Sequence, residues 1–370
     1  MTNDDHLVLP GFGGTISEEE LMAKQALLKQ KQAEEKARKQ IAENISIGQL
    51  NLGLLPITNT SLPTPRQENH HHETSETQQV ISRKKKKMAE EIVSIMEHDA
   101  SELGMISYMA QMLVQMTLPH SELRGTNGLP VTEYSKTNGR ATLTIMTPSI
   151  YGGIPFGVVP RQLLMWLTTE AVRTKQKEIF LGDSLTAFMK DIGIAVTGGK
   201  EGSLTRFKKQ SDRLFNSFIN YDPGDATNAP RSNLKITSSN KSFSFWKTDG
   251  KPTWESHIVL DTEFYESLIQ NPVPIDKRAI RALSGNAFAL DLYCWLTWRM
   301  YSVRKYTKIP WEYLQLQFGA NYKDLRFFRR RFAEVLNQVL AVYPASVSVE
   351  KDCLILQPSS TSIRKITPRT

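Results

Sequence analysis

Two groups of mostly cationic side chains in this 370-residue sequence each fall within one predicted helix, where they could bind phosphates. The first group follows a helix start predicted at Ser203 and comprises Arg206, Lys208, Lys209, Arg213 and Asn216. The second group comprises Lys323, Arg326, Arg329, Arg330 and Arg331. At 100° per residue, the first group falls opposite an apolar stripe, with Lys208 at its flank; the stripe is formed by Leu204, Phe207, Leu214 and Phe218. Cations neutralise phosphates and Arg matches the edge of guanine, so both faces suit the major groove of double-stranded DNA.

The first group is preceded by the signals of a short helix and a turn. Asp183 or Ser184 should cap the short helix and Gly193 should stop it, before a turn that contains two further glycines. Beyond the longer helix, residues 234–246 and 254–260 are predicted strands that would form a wing carrying Lys235, Lys241 and Lys247. Helix, turn, helix and hairpin in this order predict a winged helix, whose second helix docks in the major groove.

The same order of elements returns near the C-terminus. A strand at 307–310 leads to a short helix that should end at Gly319, then to a longer helix, and then to two short strands around 350–352. The longer helix has a core face at 3–4 spacing, formed by Leu325, Phe328, Phe332, Val335, Leu336 and Val339. A helix with outward Arg residues is by itself usually a solvated face. Two such helices, each followed by a hairpin, favour contact with DNA.

The rest of the chain completes the predicted architecture. An exposed helix from Ser17 forms an arm that is either solvated or binds a partner, and residues 46–82 resemble a linker. The basic run 83–87 opens a helical stretch to about Asp99, as a solvated face or a phosphate contact. Residues 111–119 and 140–148 are predicted strands, a helix starts at Pro160, and residues 286–303 should form a buried helix.

We therefore predict an α+β protein with two tandem winged-helix domains, preceded by a helical, partly disordered N-terminal arm. The predicted divisions are the arm at 1–45, a linker and basic helical segment at 46–104, winged-helix domains at 105–262 and 263–358, and a C-terminal tail at 359–370.

The charge distribution agrees with this assignment. The net charge is +8, yet residues 1–100 carry 12 basic and 15 acidic side chains, whereas residues 276–343 carry 12 basic and 5 acidic ones. The positive potential therefore belongs to the C-terminal two-thirds, which favours an acidic partner.

Several classes of protein are disfavoured by what the sequence lacks. Two distant cysteines, Cys294 and Cys353, argue against a disulfide scaffold and a cysteine-based zinc site, and fit a reducing cytoplasm. The sequence has no run of 18 apolar residues and no P-loop, and we expect no signal peptide because two acidic residues stand near the start, where such a peptide needs positive charge. The three adjacent histidines at 70–72 lack the spacing of a rigid metal site, and no nuclease constellation occurs. We expect no catalytic residues, no metal and no cofactor.

The sequence resembles the RepA-type plasmid replication initiators over roughly residues 105–359. The resemblance is carried by TLPHS (117–121), YGGIPFGVVPRQLLMWLTTEAVRT (151–174), LGDSLTAFMKDIGIAVTGGKEG (181–202) and RFKKQSDRLF (206–215). It continues through IPWEYLQLQFG (309–319), the helix at 327–342 and YPASVSVEKDCLILQPS (343–359). It implies two winged helices that bind direct repeats, called iterons, in a plasmid origin, with both cationic groups contacting DNA.

The resemblance also implies partners. Such initiators help to open the origin, bring in the host initiator DnaA and the replicative helicase, and commonly repress their own promoter as dimers while binding iterons as monomers. The alternatives that remain are a winged-helix transcriptional repressor without an initiation role, a nicking enzyme, and a scaffold that uses winged helices for protein contacts.

Overall fold

The computed structural model describes residues 73–115, 117–139, 141–182, 184–222, 224, 232–238, 257–319 and 322–363. The predictions for the arm, for most of the linker with its histidines, and for Lys241 and Lys247 lie outside these residues. The described part mixes helices and antiparallel sheets, so the predicted α+β class is confirmed.

The first described elements are two helices and three strands. They are α1 (Glu73–Glu97), β1 (Ile106–Met109), α2 (Gln111–Gln115), β2 (Glu133–Asn138) and β3 (Ala141–Met146). The strand predicted at 140–148 is present as β3, but the strand predicted at 111–119 is wrong. Its apolar run forms the short helix α2 instead, and Leu113 and Val114 are buried where α2 packs on a later apolar helix, residues 287–302. A short apolar run does not by itself distinguish a strand from a helix.

Helix α1 also corrects the predicted linker. The helix begins at Glu73, so the basic run 83–87 lies in its middle rather than at its start. Its C-terminal half is anchored by Ile92, which is 1 % exposed, and packs on the helix formed by residues 277–283. Once that half is anchored, extension backward through Glu and Gln residues costs little, because adding a residue to a formed helix is far easier than nucleating one.

The next elements form the first helical unit. They are α3 (Val158–Thr174), β4 (Glu178–Phe180), α4 (Leu185–Asp191), α5 (Ser203–Phe215), β5 (Phe218–Asp222), β6 (Ser232–Lys235) and β7 (His257–Val259). The predicted helix after Pro160 is confirmed as α3, which begins two residues earlier. Phe218 starts β5 and does not belong to the apolar stripe of the preceding helix, because α5 ends at Phe215.

The last elements form the second helical unit. They are α6 (Thr262–Ile269), β8 (Val273–Asp276), α7 (Lys277–Leu283), α8 (Ala287–Ser302), β9 (Thr307–Pro310), α9 (Trp311–Phe318), α10 (Leu325–Val342), β10 (Val347–Val349) and β11 (Cys353–Leu356). These bounds confirm the predicted order of strand, short helix, long helix and hairpin.

The two units pair their strands in a similar way. In the second unit β9, β10 and β11 form one antiparallel sheet in the order β10–β11–β9, so the first strand pairs with the last. In the first unit β4 likewise pairs with β7, and a bridge between Thr237 and Leu260 joins the chain after β6 to the chain after β7. Strand β6 also joins a four-stranded sheet, β2–β3–β5–β6, that the second unit does not repeat. Strand β1 pairs with β8 across the division predicted at 262/263.

Helix α8 is the centre of the core, as predicted from its apolar sequence. It is buried along most of its length, and Phe288 packs with the aromatic rings of α9 and α10. The Phe288 ring centroid lies 5.6 Å from that of Phe318, 6.3 Å from that of Phe328 and 5.9 Å from that of Phe332. The buried faces of α9 and α10 are therefore fixed against α8, which leaves their opposite faces to solvent.

Candidate nucleic-acid interface

The turn between α4 and α5 fixes where the first cationic helix begins. Ser184 caps α4, as predicted, and Gly193 leaves it with a φ of 84°, the left-handed region that favours glycine. Thr197 and Ser203 exchange hydrogen bonds, since each backbone N–H donates to the hydroxyl of the other residue at 2.8 and 2.9 Å. A Cβ at Gly202 would collide with the carbonyl oxygen of Gly198. The turn closes tightly and sets the first turn of α5.

Helix α5 presents part of its predicted cationic face to solvent. Arg206 and Lys209 are exposed, while Lys208 is half-buried at the flank. Asn216 is half-buried at the C-terminal cap, where its side-chain amide donates to the carbonyl oxygen of Asp212 at 2.8 Å. Arg206 and Lys209 are therefore the exposed cations of α5.

Arg213 is not part of this surface, which corrects the prediction. Its side chain is 0 % exposed and forms an ion pair with Glu122 at 3.0 Å. The guanidinium also donates to backbone carbonyl oxygens of the 151–154 turn and lies over the Phe156 ring at 5.3 Å. Burial raises the pKa of Glu122, but the hydrogen bond from Arg213 and the nearby cations outweigh burial, and the pKa lies below its usual value. Arg213 holds the fold and is not free to contact DNA.

The second cationic helix, α10, begins at an N-terminal cap formed by the side chain of Asp324. The Asp324 carboxylate accepts a hydrogen bond from the Arg326 backbone N–H at 2.7 Å and forms an ion pair with the Arg326 guanidinium at 3.1 Å. The hydrogen bond from the Arg326 side chain lowers the pKa of Asp324. The preceding turn ends α9 at Gly319, as predicted, where a Cβ would meet the Gln315 carbonyl oxygen at 2.5 Å. The position of the first turn of α10 is thus set from both sides.

The cations of α10 are not equivalent. Arg326 and Arg330 are exposed, whereas Arg329 and Arg331 are half-buried. Lys323 is also exposed, but it precedes the cap residue Asp324 and so lies outside the helix in which it was predicted. Arg331 pairs with Glu334 at 3.0 Å, and the Arg329 guanidinium lies 5.4 Å from the centroid of the Trp311 ring. Within the described part of the chain, Arg330 has no carboxylate partner, and its guanidinium lies 5.6 Å from the centroid of the Phe327 ring. Arg330 is the cation of this helix best placed to meet an external acceptor.

The described residues of the two predicted wings differ in charge. Lys235 of the first is exposed and lies over the Phe218 ring at 5.6 Å. The tip of the second, residues 350–352, is exposed and has the sequence Glu-Lys-Asp, which gives it no net positive charge. The second unit carries further exposed cations that motif reasoning passed over, because they lie between α8 and β9 or in β9 rather than on a helix: Arg304, Lys305 and Lys308.

A buried network of charges connects the two units beneath these surfaces. The Arg161 guanidinium of α3 forms two hydrogen bonds with the Asp291 carboxylate of α8, at 2.7 and 2.6 Å, and Arg161 is 1 % exposed. His120 Nε2 lies 3.0 Å from the same carboxylate. Lys136 of β2, also buried, donates to the Thr117 hydroxyl at 2.9 Å and to the Gln317 carbonyl oxygen at the end of α9. Helix α3 is therefore tied to α8, and strand β2 to the end of α9, by specific polar contacts.

The network shifts the pKa values of its members. Burial lowers the pKa of His120 despite the nearby Asp291 carboxylate, and burial lowers the pKa of Lys136 to about 8. Burial alone would raise the pKa of Asp291, but the Arg161 charge and the hydrogen bonds from His120 and Arg161 keep it below its usual value.

Membrane-spanning helices and clusters of metal ligands are both absent from the described part of the chain. Among those residues, no group of three or more His, Cys, Asp or Glu side chains is placed to hold a metal ion. No helix there is long and apolar enough to cross a membrane.

The described part of the chain is a mixed helix-and-sheet structure in which a short helix is twice followed by a longer helix with exposed cations on its outer side. The comparison with protein families then gives the particular relationship. The family model described as plasmid encoded RepA protein matches residues 154–312, which confirms the resemblance to RepA-type plasmid replication proteins. The match covers less than half of the chain and ends just inside α9, before the cations of α10. Neither the curated proteins nor the solved structures gave a match to the chain.

Proposed function

We propose that this RepA-type plasmid replication protein is a replication initiator that binds direct repeats in a plasmid origin through two winged helices. In this proposal α5 and α10 are the two recognition helices, and the protein acts without enzymatic activity in the bacterial cytoplasm. It helps to open the origin, recruits the host initiator DnaA and the replicative helicase, and represses its own promoter. Monomers and homodimers are the forms that would carry these two roles.

One observation supports the DNA-binding part of the proposal above the others. In both units the second helix of the pair has its apolar side buried and exposed arginines on its outer side, Arg206 in α5 and Arg330 in α10. A recognition helix needs this arrangement, because it must be held by the core while its outer side chains reach phosphates and base edges. The pairing of the first strand with the last in each unit supports the winged-helix assignment.

Binding should depend strongly on salt. Each phosphate neutralised by Lys or Arg releases counterions, so the logarithm of affinity should fall linearly with the logarithm of salt concentration. Two recognition helices in one chain would read successive major-groove segments about one helical turn apart. A non-palindromic repeat bound by a monomer fits that geometry.

The experiment is a footprint of the purified protein on the DNA that flanks its gene, at moderate salt, with matched arginine variants. Arg206→Ala and Arg330→Ala should each weaken binding by about 5- to 150-fold, the range of ~1–3 kcal/mol for a base-reading arginine. Arg173→Ala is the control, since Arg173 is exposed on α3, outside both cationic helices. If neither variant differs from the control, the recognition helices are wrongly assigned.

The pattern of protection separates the candidate functions. Regularly spaced direct repeats support the initiator, and a plasmid that carries the gene and these repeats should then replicate in a host with no other origin for it. Protection of only an inverted repeat at the promoter would indicate a repressor. Covalent protein–DNA adducts on supercoiled origin DNA would indicate a nicking enzyme, and absence of DNA affinity at any salt concentration would favour a protein-binding scaffold.

A further inference from the structure

Phe327 is an exposed aromatic side chain at an unusual place in the molecule. It lies in the first turn of α10, between Arg326 and Arg330, and is 56 % exposed. The core-facing aromatic residues of the same helix, Phe328 and Phe332, are fully buried against α8. Phe327 therefore contributes little to the core, and its ring faces the same solvent as the exposed cations.

Its immediate neighbour is Arg330, a cation that has no carboxylate partner among the described residues. The Arg330 guanidinium lies 5.6 Å from the centroid of the Phe327 ring, one helical turn further along. A guanidinium over an aromatic ring is attracted by the negative electrostatic potential of the ring face, so each side chain restricts the conformations of the other. The helix thus presents an apolar ring and a guanidinium together, at the end whose residues contact base edges when a recognition helix docks.

The major groove offers one apolar group to such a ring. The edges of the base pairs there consist of hydrogen-bond donors and acceptors, except for the 5-methyl group of thymine. Guanine presents the paired acceptors that a guanidinium matches. Residues three apart on a helix are separated by about 4.5 Å along its axis, and successive base pairs by about 3.4 Å. The two side chains are spaced to reach neighbouring base pairs.

We propose that Phe327 is a specificity-determining residue that contacts the 5-methyl group of a thymine in the site bound by α10, next to a guanine contacted by Arg330. The inference rests on the proposed function, because it assumes that α10 docks in the major groove. It goes beyond that function in naming the base and the atom that are read.

The test uses the full chain and the site found by the footprint, with each thymine replaced in turn by deoxyuridine. Deoxyuridine lacks the 5-methyl group and keeps its base pairing. Replacement of one thymine in the half-site covered by α10 should lower the affinity of the wild-type protein about fourfold. This is the equivalent of ~0.8 kcal/mol, the value for burial of one methylene-sized group. Phe327→Ala should bind the unmodified site more weakly and lose its sensitivity to that one replacement. Phe327→Leu, which keeps an apolar side chain, should retain the sensitivity.

Phe180→Ala is the matched control, because Phe180 is an equally exposed phenylalanine, at 54 %, on β4 of the other unit. It should leave the wild-type response to deoxyuridine unchanged. Specific binding by Phe327→Ala with the wild-type sensitivity at every thymine would overturn this inference alone. Absence of specific binding by the wild-type protein would overturn the proposed function and the inference with it.

Discussion

At the scale of single residues, Arg206 and Arg213 show that two residues on the same side of a helix can differ in exposure. They are seven residues apart, so they lie on nearly the same side of α5. Arg206 is exposed, whereas Arg213 is buried beneath the turn at 151–154, whose carbonyl oxygens it binds. The sequence predicts the side of the helix on which a residue lies. It does not predict which distant segment covers that side, because this depends on tertiary packing.

Arg213→Ala should therefore destabilise the protein rather than only weaken DNA binding. Removing the guanidinium leaves Glu122 and several carbonyl oxygens without their partner, and the loss of one member of a buried ion pair costs about 3–5 kcal/mol. We expect the free energy of unfolding, measured by urea titration, to decrease by an amount at the lower end of this range, because Glu122 is 20 % exposed. Arg206→Ala should change it by less than about 0.5 kcal/mol. Equal stability of the two variants would contradict the buried role of Arg213.

At the scale of elements, the second unit was predicted more completely than the first. The bounds of α8, α9 and α10 follow from apolar residues at helical spacing, and Gly319 ends α9 as predicted. The wrong predictions concern segments whose sequence pattern either fits both a helix and a strand or contains no signal for where the element begins. The apolar run at 111–115 is short enough for either kind of structure, and nothing local indicates that α1 extends back to Glu73. The pairing of β1 with β8, over 160 residues apart, is set by the core and not by either strand alone.

The cap of α10 leads to a prediction that a substitution increases, rather than decreases, the affinity for DNA. Asp324 begins the helix by accepting the Arg326 backbone N–H, but its carboxylate also holds the exposed Arg326 guanidinium. Asparagine caps a helix about as well as aspartate. Asp324→Asn should leave stability nearly unchanged, free Arg326 and remove a negative charge that would repel phosphates. DNA affinity should rise a few-fold at low salt, with the gain shrinking as salt increases.

Asp324→Ala provides the comparison, because it frees Arg326 as well but removes the cap, at a cost of about 1 kcal/mol of stability. Thermal unfolding and DNA titrations at two salt concentrations measure both effects. Unchanged or weaker binding by Asp324→Asn would mean that Arg326 and its surroundings do not approach DNA.

At the scale of the whole molecule, the buried network of Arg161, Asp291 and His120 ties α3 of the first unit to α8 of the second. Apolar contacts alone would allow small shifts between packed helices, whereas charged hydrogen bonds require one geometry. Loss of a partner there leaves an uncompensated buried charge. The network thus fixes α3 relative to α8, the helices on which α5 and α10 respectively pack.

The network makes stability depend on pH, with a sign that follows from His120. Its pKa is lowered in the folded state, whereas an unfolded histidine has a pKa of about 6.5. Below that value the unfolded chain binds the proton more readily, so the free energy of unfolding should fall as the pH decreases. Asp291, with its pKa lowered below its usual value, stays ionised down to pH 5 and adds no slope there.

His120→Gln isolates this contribution, because the glutamine amide can still donate to Asp291 but does not titrate. Between pH 7 and pH 5 the wild-type protein should lose up to about 2 kcal/mol more stability than the variant. Other histidines, such as His98 and His257, are present in both proteins and cancel in the difference. Urea titrations at pH 7, 6 and 5 measure it, and parallel curves for the two proteins would show that His120 can be protonated within the folded network. Site-specific DNA binding by the wild-type protein should weaken together with its stability as the pH falls.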